Sequence, residues 1–337
     1  MPESPRILML APMAELSHRA LRELIHSFLA PDSGSMPRIV YYTEMISAAG
    51  LLENGPFEKW YLDNGPCPKQ LVYQLLGSDT DLLVKAATLL DRQDCLGIDI
   101  NMGCSAPAII RTGAGVRWME DPEKAARLIE RLRRITKKRL SVKIRLGPKV
   151  PGMRKNGEWG TESREGEIER LLRFCHTLED AGLDLITLHP RLAAEKFKRR
   201  ARWEYVETLR KELRIPVVGN GDINSEEELA HKAAEGPVMT GRLLVREPWA
   251  FARLSVHPVQ AASMKMQIKT EETGLRFLEL LARHQPPEFH LSRARRFFRY
   301  FCDNVTWAEH LRNKINHEET LAGIGRVWQE YFKDNGN

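Results

Sequence analysis

Eight short apolar segments, rich in Val, Ile and Leu and mostly closed by Gly, Pro or Asn, recur along the chain at helix-length intervals. They are "RILMLAPM" (6–13), "RIVYYTEM" (38–45), "QLVYQLLG" (70–77), "LGIDINMG" (96–103), "LSVKIRLG" (140–147), "LDLITLHP" (183–190), "IPVVGNGD" (215–222) and "PVMTGR" (237–242). Each is too short for a buried helix and reads as a buried strand. Amphipathic stretches such as "DTDLLVKAATLLD", "DPEKAARLIERLRRITKK" and "SEEELAHKAAEG" lie between them, several opening on Ser or Asp and two ending at Gly. Parallel strands need a crossover of helix length, so eight such alternations predict an α/β chain folded as a (β/α)8 TIM barrel. The alternative, a doubly wound sheet, would usually carry fewer strands and often a Gly-rich turn after the first, where this chain has Ala11, Pro12 and Met13.

After residue 255 the strand pattern stops, and "GLRFLELLARHQ", "SRARRFFRYFCD", "TWAEHLRNKIN" and "ETLAGIGRVWQEYF" follow as consecutive helical segments. The expected division is a barrel over 1–255 and a smaller helical domain over 256–337, with the boundary inside 253–264. A long irregular loop is expected at 147–166, after the fifth strand, and loops of that length usually carry function.

Hydrophobic content of 42% with 28% charged residues is that of a soluble globular chain, and no run approaches the roughly 18 apolar residues of a membrane span. The N-terminus lacks a basic stretch followed by a long apolar one, so the expected compartment is the cytoplasm; the expected state is a monomer. The five cysteines are odd in number and contain no CxxC pair, which points to free thiols and away from a disulfide framework or a metal site. The net charge of +6 suits a polyanionic partner without requiring one. Basic residues gather at 191–203 and at 292–300, the latter interleaved with Phe297, Phe298 and Tyr300; a solvated helix face accounts for either run as well.

The active site of a barrel lies where its strands end, and the strand ends here are rich in polar or chemically useful side chains: Met13, Glu44, Gln74, Asn101, Cys104, Lys143, Arg145, His189, Arg191, Asn220, Asp222 and Arg242. Strands seven and eight end in "VVGNGDI" and "MTGRLL", whose glycines let backbone N–H groups approach a phosphate, with Arg242 adding a charge-assisted contact. An inward Lys143 needs an anionic partner, and Gln74 suits the edge of a planar heterocycle. Cys104 is flanked by small residues; it could be buried and structural, a nucleophile needing a base, or a general acid, since a thiol near pKa 8.5 is largely protonated at neutral pH. The motif alone leaves these open.

The segments "APM", "YQLLGSD", "DINMGC" with a following "GAG", "VKIRLG", "LHPR", "VVGNGDI" and "MTGR", in this order and spacing from Leu10 to about Tyr331, resemble the tRNA-dihydrouridine synthases. That resemblance implies an FMN-containing barrel with a helical tRNA-binding domain, reducing the C5=C6 bond of uridine in tRNA with NADPH as the electron source. It implies Ala11, Pro12, Met13, Gln74 and Lys143 at the isoalloxazine, His189 against the flavin, and Asn220, Gly221, Asp222, Gly241 and Arg242 at the ribityl phosphate end. Asn101, Arg145 and Arg191 fall to the uracil and its backbone, Cys104 to protonation of C5, and Arg293, Arg295, Arg296 and Arg299 to tRNA phosphates. The chain departs from the family pattern at Ser105, where proline is common, and at Arg117 and Trp118, where small or aliphatic residues are common. A dihydroorotate-dehydrogenase-like FMN barrel is the neighbouring reading, against which the Arg-rich helices count. A non-catalytic RNA-binding barrel would not need Cys104, Lys143 and His189 together.

Overall fold

The computed structural model describes residues 7–29, 38–148, 164–255, 263–264 and 266–335. Eight parallel strands, β1 (Ile7–Leu10), β2 (Arg38–Ser47), β3 (Leu71–Leu76), β4 (Gly97–Met102), β5 (Arg139–Ile144), β6 (Leu185–Leu188), β7 (Val217–Asn220) and β8 (Val238–Thr240), pair in chain order and close through β8 on β1. All eight expected strands are present. Most are shorter than the apolar segments that announced them, because the last residues of those segments leave the ladder and form the rim of the barrel.

Side-chain alternation along the strands separates two cores. Met9, Val40, Tyr42, Val72, Leu185, Val218 and Met239 fill the barrel interior, while their neighbours, such as Leu8, Tyr41, Tyr73, Ile98 and Val142, pack outward under the helices. Continuing the inward period from this apolar floor brings Gln74, Asp99 and Ser141 into one layer, since Gln74 is paired with Asp99 and Asp99 with Ser141. One step further come Asn101 and Lys143, which are themselves register partners.

The expected Asp and Ser caps hold for three helices: Asp79 accepts from Leu82 N–H, Asp121 from Lys124 N–H and Ser225 from Glu228 N–H. Ser17 does not cap the helix Arg19–Ser27; its hydroxyl bonds the backbone N–H and carbonyl of Met13 instead, fixing the loop after β1. Helices Thr270–His284, Pro287–Phe301, Ala308–His317 and Leu321–Asn335 form the C-terminal region, and Thr270–His284 packs on Arg19–Ser27. Its core is aromatic: Phe277 stacks on Phe297 at 3.7 Å, and Phe298 and Phe301 surround Trp328. The expected boundary at 255/256 abuts residues outside the described set, and most of the 147–166 loop lies outside it. No helix among the described residues is long and apolar enough to cross a membrane.

Candidate active site

Past Met102 the chain turns out of β4, and the side chain of Asn101 caps that turn. Its Oδ1 accepts from the N–H groups of Gly103 at 3.2 Å and Cys104 at 2.9 Å. From the other side, Val116 N–H donates to the Cys104 carbonyl at 3.0 Å. Gly115 makes this approach possible: its φ is +63°, and a Cβ there would lie 2.4 Å from the Cys104 oxygen. The "GAG" segment is therefore a backing plate for the cysteine loop, leaving Cys104 partly exposed. Trp118 is buried and donates its indole N–H to Gly77 O at 2.8 Å, tying this plate to the end of β3, while Arg117 turns outward to Glu120.

Positive charge accumulates opposite the cysteine. Lys143 donates to Asn220 Oδ1 at 2.9 Å, and Asn220 in turn donates to Met239 O. Burial, reinforced by Arg145, pushes the Lys143 ammonium down to about 8, with Asp99 and Cys104 acting in the opposite direction. Arg145 is buried and donates to the carbonyls of Leu192 and Lys196, and burial followed by Arg191 lowers its pKa. Arg191, also buried, donates to both carboxylate oxygens of Asp222 and, through Nη1, to His189 Nε2 at 2.9 Å. That last bond makes Nε2 the acceptor, so His189 is the neutral Nδ1–H tautomer. Burial first, then Lys143, Arg145, Arg191 and Arg242, hold its pKa far below the ordinary value. Arg242 lies 3.9 Å from Asp222 Oδ1, which leaves Asp222 between two arginines; burial raises its carboxyl, but the bonds from Arg191 and the Ala201 N–H, with the charges of both arginines, hold it below the usual range. Above this cluster sits Phe197, 64% exposed, with Arg145 and Arg242 over its ring at 5.7 and 5.5 Å and His189 stacked at 6.1 Å.

The remaining rim comes from β1, β7 and β8. Ala11 N–H continues the ladder to Thr240 O at 2.8 Å before Pro12 ends it, and Met13 then folds over β8. A Cβ at Gly241 would lie 2.7 Å from Met13 Sδ, and one at Gly221, whose φ is +118°, would lie 2.9 Å from His189 Cδ2. Both glycines let rim side chains rest directly on the backbone.

The model of the family described as dihydrouridine synthase matches residues 9–336. The chain belongs to the dihydrouridine synthase family. It is 29% identical to the "Probable tRNA-dihydrouridine synthase" of Aquifex aeolicus over 254 residues, covering 72% of this chain and 71% of that one. It is 25% identical to the "Probable tRNA-dihydrouridine synthase 1" of Synechocystis over 311 residues, covering 90% and 80%. A Helicobacter pylori protein, "Probable tRNA-dihydrouridine synthase", is 27% identical over 253 residues, covering 72% and 68%.

In this synthase the four arginines expected at the tRNA divide by burial. Arg293 is 2% exposed and turned inward, its Nη2 bonded to the buried Glu44 at 2.9 Å and its guanidinium over Phe289 at 4.5 Å. It therefore joins helix Pro287–Phe301 to β2 and does not face solvent, a correction to its expected place among the phosphate contacts. The helical period explains this, since Arg293 shares the inward stripe with Ala294, Phe297 and Phe301. Arg295, Arg296 and Arg299 line a cleft of about 720 Å³ together with Tyr300, Arg312 and Asn313. Arg295 donates to Glu318 O, and Arg296 pairs with Glu15 in the β1 loop.

Gln74 also differs in setting from a residue open to a ligand edge: it is fully buried, donates Nε2 to Asp99 Oδ2 at 2.7 Å and accepts at Oε1 from Asn101 at 2.9 Å. Reading the sequence passed over Asp99, Ser141 and Phe197. Asp99 and Ser141 are signalled only by strand alternation, each standing two residues before a rim residue on the same inward face. Phe197 is a single aromatic within a basic run.

Proposed function

We propose that this synthase reduces the C5=C6 bond of specific uridines in tRNA to 5,6-dihydrouridine, with FMN as its resident cofactor and NADPH as reductant. The observation that carries the reading is a partly exposed thiol on a backed, capped loop beside Lys143 and Arg145, two of the four cations that, with Arg191 and Arg242, converge on His189. Among the described residues the carboxylate hydrogen-bonded to these cations is Asp222, already shared by two arginines, while Asp99 and Glu195 act on Lys143 and Arg145 through space; four cations against three carboxylates leave the cluster with surplus positive charge. An anionic, phosphate-bearing planar cofactor fits that chemistry. Gly221, Asp222, Gly241 and Arg242 would hold its phosphate end; Ala11, Pro12, Met13, Lys143 and His189 would border its ring, and Gln74 and Asn220 would support that border from within the barrel. When bound, FMN supplies the hydride that C6 of the uracil accepts.

The chain's own groups do the rest. The Cys104 Sγ–H gives its proton to C5 as the general acid. Asn101 and Arg145 orient the base, while Arg191, clamped by Asp222, keeps His189 neutral with its Nδ1–H available as a donor. Folded RNA buries its bases, so the target uridine must be extruded, at a cost of a few kcal/mol offset by phosphate contacts and stacking. The exposed Phe197 ring and the outward Arg295, Arg296 and Arg299 supply groups of that kind. On this reading residues 1–255 form the catalytic barrel and 256–337 the tRNA-binding helices, acting in the cytoplasm as a monomer.

Cys104→Ala tests it. The variant is expected to stay yellow and to keep its tRNA affinity while dihydrouridine formation, read by mass spectrometry of tRNA, falls at least 100-fold, the usual weight of a general acid. A colourless wild-type protein, or a fully active variant, would sink the proposal.

A further inference from the structure

We propose that Asp99 is a positioning residue for Cys104: its acceptor-only carboxylate fixes the direction of a buried hydrogen-bond chain, Ser141–Asp99–Gln74–Asn101, that ends on the backbone N–H of the cysteine. The inference rests on the assignment of Cys104 as the proton donor.

The argument turns on two amides. Gln74 and Asn101 can each rotate their terminal group by half a turn, exchanging donor for acceptor at almost no steric cost. A carboxylate cannot make that exchange, since both of its oxygens accept. The Ser141 hydroxyl donates to Asp99 Oδ1 at 2.6 Å and Gln74 Nε2 donates to Oδ2 at 2.7 Å. With its nitrogen committed to Asp99, Gln74 must present Oε1 to Asn101, which donates Nδ2 to it at 2.9 Å. Asn101 must then present Oδ1 to the loop, where it receives Gly103 and Cys104 N–H. One anion thus fixes the sense of every later link. Asp99, Gln74 and Ser141 are fully buried and Asn101 is 6% exposed, so water does not substitute for a lost partner. Strand register places Gln74, Asp99 and Ser141 side by side on β3, β4 and β5, which makes the chain a property of the barrel and not of the loop it serves.

Ionisation of Asp99 supports the same picture. Burial pushes its carboxyl up to about 6, against the bonds from Ser141 and Gln74 and the charges of Lys143 and Arg139 on β5; Tyr42 on β2 also faces it. Above that pH the group only accepts. Below it the added proton makes one oxygen a donor, and the constraint on Gln74 is released.

The test reads the thiol itself, so that it does not depend on the reaction assigned to the protein. Alkylation of Cys104 by iodoacetamide is followed peptide by peptide in purified holoprotein from pH 5 to 8, normalised to the pH response of a free cysteine, with dihydrouridine formation measured in parallel. Asp99→Asn can turn either face to Gln74, so its Cys104 is expected to alkylate at least threefold faster, without the change near pH 6 that the wild type shows. In Asp99→Asn/Gln74→Glu the carboxylate introduced on β3 accepts both from the amide introduced on β4 and from Asn101, restoring the orientation of Asn101, and the alkylation rate is expected to return to within twofold of wild type. A folded Asp99→Asn protein with wild-type alkylation and pH response overturns the proposal, as does a double variant that merely adds the two single effects. If Asp99→Asn does not fold, Ser141→Ala decides: losing one of the bonds that keep the carboxylate ionised should raise the pH at which alkylation changes, and an unmoved transition is the contrary result. A wild-type protein that forms no dihydrouridine yet shows these alkylation effects would reject the proposed reaction and leave the positioning role standing.

Discussion

Arg293→Met removes the cation from a buried ion pair and leaves Glu44 in place, which makes the cost calculable. In the wild type Glu44 Oε2 accepts from Arg293 and Oε1 accepts the Glu15 N–H at 2.6 Å, while burial pushes the carboxyl up and Arg293 pulls it down. Without the arginine the carboxylate keeps one backbone donor and only the through-space charge of Arg22, and losing one member of such a pair typically costs about 3–5 kcal/mol. Protonation limits the loss. From an ordinary value of 4.5, taking up a proton at pH 7 costs about 3 kcal/mol at 1.36 kcal/mol per unit, so the penalty at pH 7 should sit near 3 kcal/mol. The sign follows from linkage: in the variant the folded state holds a proton that the unfolded state releases above pH 4.5, so folding stability falls as pH rises from that value. Urea denaturation of both proteins at pH 5, 6 and 7 should show the gap widening by up to about 1.4 kcal/mol per unit. A gap below 1 kcal/mol at pH 7, or one independent of pH, would refute the reasoning and return Arg293 to an ordinary surface role.

Two further outcomes follow from positions already described. Gly115→Ala places a Cβ against the Cys104 carbonyl at a φ of +63°, so about 1–2 kcal/mol of backbone strain plus displacement of the loop is expected; thermal unfolding should drop by a few degrees and turnover at least tenfold, with flavin absorbance unchanged. Arg295→Ala/Arg296→Ala should weaken tRNA binding and reduce the slope of log affinity against log salt by roughly two, without bleaching the flavin; an unchanged slope would exclude this face from the RNA interface.

Much of this protein was legible in its residues. Eight apolar runs separated by amphipathic stretches admit few folds other than a closed parallel barrel, because buried parallel strands must each be followed by a crossover. The same pattern located the rim, since residues that end an apolar run in such a fold stand at its mouth: Cys104, Lys143, His189, Asn220 and Arg242 lie where their strands predicted. Tertiary structure alone decided which of these polar groups face a ligand and which hold one another. Gln74 reads in the sequence as an amide open to a ring, yet its two ends are taken by Asp99 and Asn101. Arg293 reads as one of four arginines in a basic run, yet it is the one whose helical phase points at Glu44, a carboxylate 249 residues away in the chain. Hydrophobic periodicity is a local property that each segment carries by itself, so it survives in the sequence. The partner of a buried charge or amide is set by how distant strands and helices are brought together, and no local pattern records it.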